Sequence, residues 1–301
     1  MKVARVLVIV SILGGGASLN AQTNSPAYST GGGVQLESVD DWLQDNIDPD
    51  VLRALKQLDE KKVQRIFAEL KEAMEGTNIN QLATLRQSAE ELVPLLQKFE
   101  ETAAYGDWLQ TRLDYLEAAQ ELGRGKQVTM AEEREVWTRQ LAKRPWPAQA
   151  RNYVPRLKEI FLSEGVPPEL VWVAEVESSF NPKARSPAGA AGMFQLMPQT
   201  ARDEQLSLWP WDERYQAEKS ARAAAKYLRA LHSHYGDWEL ALAAYNVGEG
   251  RVDKLLKQRK ARSFAGIARR LPAETQMYVP KVEATVWKRE GRNLSVLKPP
   301  K

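Results

Sequence analysis

The chain has no cysteine and only two histidines in 301 residues. Without cysteine there is no disulfide framework, no thiol nucleophile and no lipidation cysteine. Net charge is also scarce. Lys and Arg number 42 against 39 Asp and Glu, a formal +3, and Lys2 and Arg5 supply two of those charges because residues 1–21 hold no Asp or Glu. The remaining +1 is too little for a surface that tracks phosphates, which argues against nucleic acid as a partner. No alternating strand pattern of useful length occurs, and no internal repeat. His232 and His234 lie two apart on a predicted helix, so they point to different faces, and no third ligand accompanies them. Neither a metal hydrolase nor a Ser-His-Asp hydrolase follows from that pair, and no cofactor is implied.

What is present has ordinary globular balance, 43% hydrophobic and 27% charged. Residues 1–21 read as a secretory signal: Lys2 and Arg5 form a basic start, Val6 to Leu13 an apolar run, and Leu19-Asn20-Ala21 a small-residue end. The apolar stretch from Val6 to Leu19 is 14 residues, against the roughly 20 that a spanning helix needs, which favours a cleaved signal over a retained anchor. Export of a cysteine-free chain points to the periplasm or cell envelope of a bacterium. Residues 22–37, polar and Gly-rich, read as a flexible linker.

The rest is helical in pattern, and the expected fold class is all-α. Asp48-Pro49 reads as a helix start, with Leu52, Leu55, Ile66, Leu70 and Ala73 on recurring faces until Gly76-Thr77-Asn78 breaks the pattern. Leu82, Leu85, Ala89, Leu92, Leu96 and Phe99 then repeat at three- and four-residue spacing, as in a helical hairpin, with Pro94 expected to kink or interrupt it. A further helix carries Trp108, Leu109, Arg112, Leu116 and Ala119 on one side and ends near Gly123 and Gly125. "KRPWPAQA" marks the boundary between a helical region over 38–147 and a second helical domain over 148–290, and residues 291–301 read as a frayed tail. Helices are expected near 150–164, 168–178, 198–206, 217–235, 238–245, 249–257, 263–268 and 273–289.

One stretch concentrates chemistry: "VAEVESSFNPKARSPAGAAGMFQLMP", residues 173–198. Pro167-Pro168 opens its helix and Asn181-Pro182 stops it, so Glu177 lies in the last turn. Its helical neighbours Val173, Ala174 and Phe180 are all apolar, whereas Glu175 points about 200° away, beside Trp172 and Ser179. Apolar neighbours disfavour a carboxylate, and the negative helix end adds roughly 0.3–1 kcal/mol in an exposed setting. Both raise the pKa, as a general acid near neutrality requires. Taken alone, these features leave open an ordinary solvated helix glutamate. The small residues of "SPAGAAG" would let a ligand approach backbone amides, and Gln195 stands amid apolar residues that equally suit a loop packed under the helix.

Glu177-Ser178, Phe180-Asn181-Pro182, Ser186 to Ala190 and Gly192 to Pro198 together resemble the catalytic segment of the soluble lytic transglycosylase (SLT) domain. This is glycoside hydrolase family 23, whose fold is similar to goose-type lysozyme. "LALAAYNVGEGRV" at 240–252 resembles the family's Ala-Tyr-Asn-x-Gly block, and "ETQMYVPKV" at 274–282 its closing Glu-Thr-x-x-Tyr-Val helix. The three blocks follow the family's order, and the likeness leaves out residues 22–147. Phe194 stands where Met is usual, and Gln276 where Arg is common.

The resemblance implies a lysozyme-like helical domain and Glu177 as sole catalytic acid/base. It implies glycan contacts for Ser186, Gln195 and Met197, orientation of the sugar and acid by Tyr245 and Asn246, and a peptide-proximal lining by Glu274 and Tyr278. Tyr245 also reads as a core aromatic whose hydroxyl needs a partner, and Glu274 as a first-turn acid favoured by the helix dipole. The implied partner is the glycan strand of peptidoglycan. Residues 38–147 are candidates for extending the glycan groove or docking a cell-envelope protein partner. Trp209, Trp211 and Trp238 could stack on sugars, with core packing the stronger expectation.

Glycosidases usually use two carboxylates, and the three blocks offer Glu177 no obvious second except Glu274. The transglycosylase route, in which the substrate supplies the missing group, fits that shortage. The rivals are lysozyme-type hydrolysis and a non-catalytic peptidoglycan-binding scaffold.

Overall fold

The computed structural model describes residues 60–98, 100–122, 129–142 and 144–301. The signal, the linker, the Asp48-Pro49 helix start, Phe99 and the glycine stop at 123–125 lie outside the described residues. Thirteen helices cover the described residues: α1 Glu60–Glu75, α2 Ile79–Ala83, α3 Arg86–Gln97, α4 Glu100–Leu122, α5 Met130–Ala142, α6 Ala150–Ser163, α7 Val173–Ser178, α8 Pro198–Asp203, α9 Ala217–Tyr235, α10 Trp238–Val247, α11 Glu249–Arg259, α12 Phe264–Ile267 and α13 Ala273–Glu290. Among the described residues there is no strand, only isolated bridges in the loop at 185–196. The all-α expectation holds.

The heptad seam is real, but its helix is not continuous. Leu82, Ala89, Leu92 and Leu96 are buried, yet the chain turns between α2 and α3, where the Thr84 hydroxyl donates to the Gln81 carbonyl at 2.8 Å. Pro94 does not interrupt α3. It removes the one amide donor that would bond the Glu90 carbonyl, and burial of Leu92, Val93 and Leu96 around it holds the helix together. α3 and α4 fold back on each other, and Thr102 Oγ1 donates to the Leu96 carbonyl at 2.7 Å. Gly106 permits that approach, since a Cβ there would lie 2.7 Å from Gln97 Cγ.

The second part of the chain follows the expected boundaries closely, with two changes. The segment expected as one helix over 168–178 is a 3₁₀ turn at Pro168–Trp172 followed by the short α7. α8 stops at Asp203, and Gln205 takes a left-handed φ of 63°.

α13 is the spine of the molecule. From Ala273 to Val286 only Glu274 is not fully buried, so this helix is enclosed on all sides rather than amphipathic. It packs on α1 and α5 from the N-terminal region and on α7 and α10 from the C-terminal region. Ala273 N donates to the Gly76 carbonyl at 2.6 Å, and Gln276 Nε2 to the Thr77 carbonyl at 2.9 Å. One contiguous apolar core therefore runs through both regions. The tail does not fray. Leu294 and Leu297 are buried, the Trp238 indole donates to the Lys298 carbonyl at 3.3 Å, and Lys301 N donates to the Gly165 carbonyl at 3.0 Å. Two leucines spaced one 3₁₀ turn apart give the tail an apolar face to bury.

Candidate active site

α7 ends in a left-handed turn formed without glycine. Ser179 (φ 53°) and Phe180 (φ 62°) both adopt positive φ, and their amides donate back to the Glu175 and Ala174 carbonyls at 2.9 and 3.1 Å. This paired closure satisfies the helix end. Two successive non-glycine residues in that region store strain of about 1–3 kcal/mol each, a cost that concentrates at functional sites. The turn fixes Glu177 at the carbonyl end of α7.

Glu177 is 6% exposed, with Val173, Ala174 and Phe180 fully buried around it. Burial pushes its pKa up to about 7, opposed by the charge of Arg112 and the hydroxyl of Tyr278. Tyr278 OH donates to Glu177 Oε1 at 2.7 Å. Tyr278 is therefore in direct contact with the candidate acid.

The loop after α7 is clamped from both sides. Ser178 Oγ donates to the Met193 carbonyl at 2.7 Å, and Tyr245 OH to the Phe194 carbonyl at 2.7 Å. The Tyr245 hydroxyl thus has the partner that a core aromatic needs, and burial, with the charge of Glu177 adding to it, pushes its pKa well up. The Asn246 carboxamide oxygen accepts from Thr275 Oγ1 at 2.6 Å, joining α10 to α13. Ser186 Oγ accepts from Ala190 N at 3.0 Å inside its own turn.

Gly192 has no substitute here, because a Cβ would sit 1.8 Å from the Arg214 carbonyl at a φ of +77°. Arg214, paired with Asp212, donates from Nη1 to the Gly189 and Leu196 carbonyls at 2.8 and 2.9 Å, bracing the loop. Gln195 (φ 48°) donates from Nε2 to the Gly192 carbonyl at 2.8 Å, while its buried Oε1 has no protein partner. A buried acceptor without a partner costs about 1–3 kcal/mol. Met197 follows, 43% exposed.

The two departures from the family pattern are structural. Phe194 is fully buried, its ring 5.6 Å from that of Phe161, and Gln276 ties α13 to the loop at Thr77. The tryptophans divide. Trp238 is core, 4% exposed, whereas Trp209 and Trp211 are 84% and 78% exposed, against the expectation of core packing for each. They flank Pro210 on a turn held by Ser207 and Glu213, which turns the rings outward. His232 packs against Trp238 with the rings tilted by 43°, and His234 faces Asp253 at 3.1 Å.

Residues outside the three motif blocks complete the site. Arg112 of α4 donates from Nη2 to Glu274 Oε1 at 3.0 Å, and Tyr115 of the same helix lies within the same charge network, as does Lys281 from the third block. The signal for Arg112 was present in the sequence as a lone cation within the apolar face of its helix. Glu175 is not an exposed charge. Its carboxylate receives Arg289 Nε at 2.9 Å and Nη2 at 2.6 Å, with side-chain exposures of 9% and 2%.

Residues 161–267 match the family described as Transglycosylase SLT domain. The chain is 44% identical over 125 residues to membrane-bound lytic murein transglycosylase D of Escherichia coli (strain K12), covering 40% of this chain and 27% of that protein. It is 34% identical over 120 residues to soluble lytic murein transglycosylase of Salmonella typhimurium (strain LT2), covering 37% of this chain and 19% of that one. The chain thus spans about a quarter or less of these relatives. Lytic transglycosylase Slt from Pseudomonas aeruginosa aligns in structure at 23% identity and a TM-score of 0.44, over 84% of this chain and 38% of that one.

Proposed function

We propose, for a chain that carries a transglycosylase SLT domain at residues 161–267, that it is a peptidoglycan lytic transglycosylase. It cleaves the β-1,4 bond between N-acetylmuramic acid and N-acetylglucosamine and closes a 1,6-anhydro ring, with Glu177 as the single acid and base. Localisation is to the bacterial cell envelope, in keeping with the names of its relatives. No helix among the described residues is long and apolar enough to cross a membrane.

The observation that carries the reading is a buried carboxyl whose pKa stands at about 7, beside a second carboxyl already bound to a cation. Near neutrality a substantial fraction of Glu177 is protonated, so it can donate to the glycosidic oxygen as the C1–O bond breaks. The muramic N-acetyl oxygen bonds to C1 and takes up the developing positive charge. The 6-hydroxyl of the same sugar then attacks C1, the bond from the N-acetyl oxygen breaks, and the hydroxyl proton passes to the Glu177 carboxylate. Glu177 is protonated again and no water is consumed. Tyr278 holds the carboxyl in place, and Gln195 Oε1 accepts from the sugar. Ser186 and Met197 border the groove from the same loop.

Hydrolysis would need a second base to activate water, and Glu274, the candidate for it, is engaged by Arg112. The test is digestion of intact sacculi with wild type and Glu177→Gln, followed by mass analysis of the muropeptides. Ends lighter than hydrolytic ends by one water, absent with Glu177→Gln, are the expected result. Hydrolytic ends would overturn the transglycosylase assignment, and undiminished activity of Glu177→Gln would overturn the assignment of the acid.

A further inference from the structure

α4 lies outside the residues that match the SLT domain, yet it brings a guanidinium to Glu274, the second carboxyl of the site. Arg112 is 7% exposed, and its Nη2 donates to Glu274 Oε1 at 3.0 Å. The guanidinium carbon lies 5.1 Å from the Trp108 ring centroid and 5.8 Å from that of Tyr115, two aromatics of the same helix. Its Nη1 donates to Thr111 Oγ1 at 3.1 Å, and its buried Nε has no partner. The side chain is therefore held from three directions and aimed at one carboxylate.

The groups that interact electrostatically with Glu177 come from three helices, and of them Tyr278 is in hydrogen-bond contact. α4 contributes Arg112 and Tyr115, α10 contributes Tyr245, and α13 contributes Glu274, Tyr278 and Lys281. The three on α13 are spaced i, i+4 and i+7, which places them on one stripe of the helix. Glu274 is the only other carboxyl in this set. Two carboxylates sharing a dry site repel, and the acid responds to whichever charge its neighbour keeps. Glu274 is half-buried, with its side chain 25% exposed, so the larger cost of breaking the pair falls on Arg112, a buried cation left unpaired.

We propose that Arg112 is a positioning residue of this active site: by neutralising Glu274 it keeps that carboxylate out of the chemistry and fixes the charge balance around Glu177. The N-terminal helices are then part of the catalytic apparatus, not only a neighbouring module. Lys281 does not duplicate this role, because its ammonium is spent on Asp114 at 3.0 Å. The inference rests on Glu177 being the acid.

The experiment measures the pH dependence of kcat/KM on solubilised peptidoglycan for wild type, Arg112→Gln, Glu274→Gln, the double variant, Arg112→Lys and Glu177→Gln. Far-UV circular dichroism and urea midpoints report folding of each. Arg112→Gln removes a cation and leaves Glu274 uncompensated, so the alkaline limb moves up by about 1 unit. Glu274→Gln leaves the cation alone, so the limb moves down. The double variant returns close to wild type, and Arg112→Lys restores most of the limb.

A purely structural role for Arg112 lowers stability without moving the limb in opposite directions for the two partners. Limbs that stay fixed, or move the same way in both single variants, overturn the proposal. Should Arg112→Gln fail to fold, the double variant decides, because a limb displaced by about 1 unit there overturns it equally. Activity retained in Glu177→Gln instead brings down the assignment of the acid, and this inference with it.

Discussion

The two faces of α7 carry one glutamate each, and they have opposite fates. Glu177 and Glu175 are two residues apart and both largely withdrawn from water. Glu177 meets a tyrosine hydroxyl and no cation in direct contact, and its pKa rises to about 7. Glu175 meets the full fork of Arg289, and its side lines a cavity of about 460 Å³ shared with Asp114, Arg144, Trp146 and Lys281. Burial is common to both. What separates a proton donor from a structural ion is whether a guanidinium sits on the carboxylate.

The sharpest way to break this comparison is to remove each carboxylate in turn. Glu177→Gln should cost roughly a thousandfold in turnover, the scale of general acid–base catalysis, while Glu175→Gln stays near wild type in initial rate on solubilised peptidoglycan. Comparable losses in both would mean that the two faces are not functionally distinct. Stability should show the reverse pattern. Glu175→Gln strands a buried Arg289 and should lower unfolding free energy by about 3 kcal/mol, read from urea melts. A melt unchanged from wild type would show that the Glu175 pair contributes nothing.

The third prediction concerns pH. Glu177 has a folded pKa of about 7, raised by burial above its ordinary 4.5. Glu133, paired with Arg269 at 3.1 Å, is likewise raised by burial to about 7. A raised carboxyl pKa means that the folded state binds more protons, so stability is fully present below about pH 4.5 and is lost as pH rises through about 7. For Glu177 the loss is on the order of 3 kcal/mol. Thermal melts at pH 5 and pH 8 should differ accordingly in wild type and by less in Glu177→Gln. Asp114 runs the other way. Despite burial, Lys281 and Arg144 hold it below the usual aspartate range, so its contribution disappears only in stronger acid. A wild-type melt that is flat over this interval would contradict the burial effect on Glu177. The smallest effect expected is Tyr278→Phe, about tenfold slower for the loss of one hydrogen bond to a carboxyl. Because that hydroxyl lowers the acid's pKa, the alkaline limb should also move upward, and a limb moving downward would exclude this role.

Much of this was legible in the sequence. The apolar flanks Val173, Ala174 and Phe180 set Glu177 apart from Glu175, and all three are fully buried; the resemblance of the motif blocks, not the flanks alone, marked it as the acid. Helix boundaries in the second region came within a few residues, because proline starts and glycine stops act locally: Asp237 caps α10 through Leu240 N, and Gly236 and Gly291 end α9 and α13 in left-handed conformations. Less was legible where side chains choose partners. The hydrogen bond from Tyr278 to Glu177 was not foreseen, because it joins residues 101 apart. Glu175 was expected to differ from Glu177 and does, but through Arg289, a partner 114 residues away. The tail and the Trp209–Trp211 turn reversed their expected exposure, because each depends on which surface is left uncovered nearby.

The sequence by itself therefore determined the helices and most of their buried faces, since periodicity and capping depend on residues within a turn or two of one another. The candidate acid was legible only through the resemblance of three motif blocks to a known family. Only the tertiary structure decided what charge that acid feels. Arg112 and Glu274 stand 162 residues apart and meet at 3.0 Å because α4 and α13 pack across one core. Coulomb interactions in a dry interior depend on distances of a few ångströms. No local pattern in the chain records those distances.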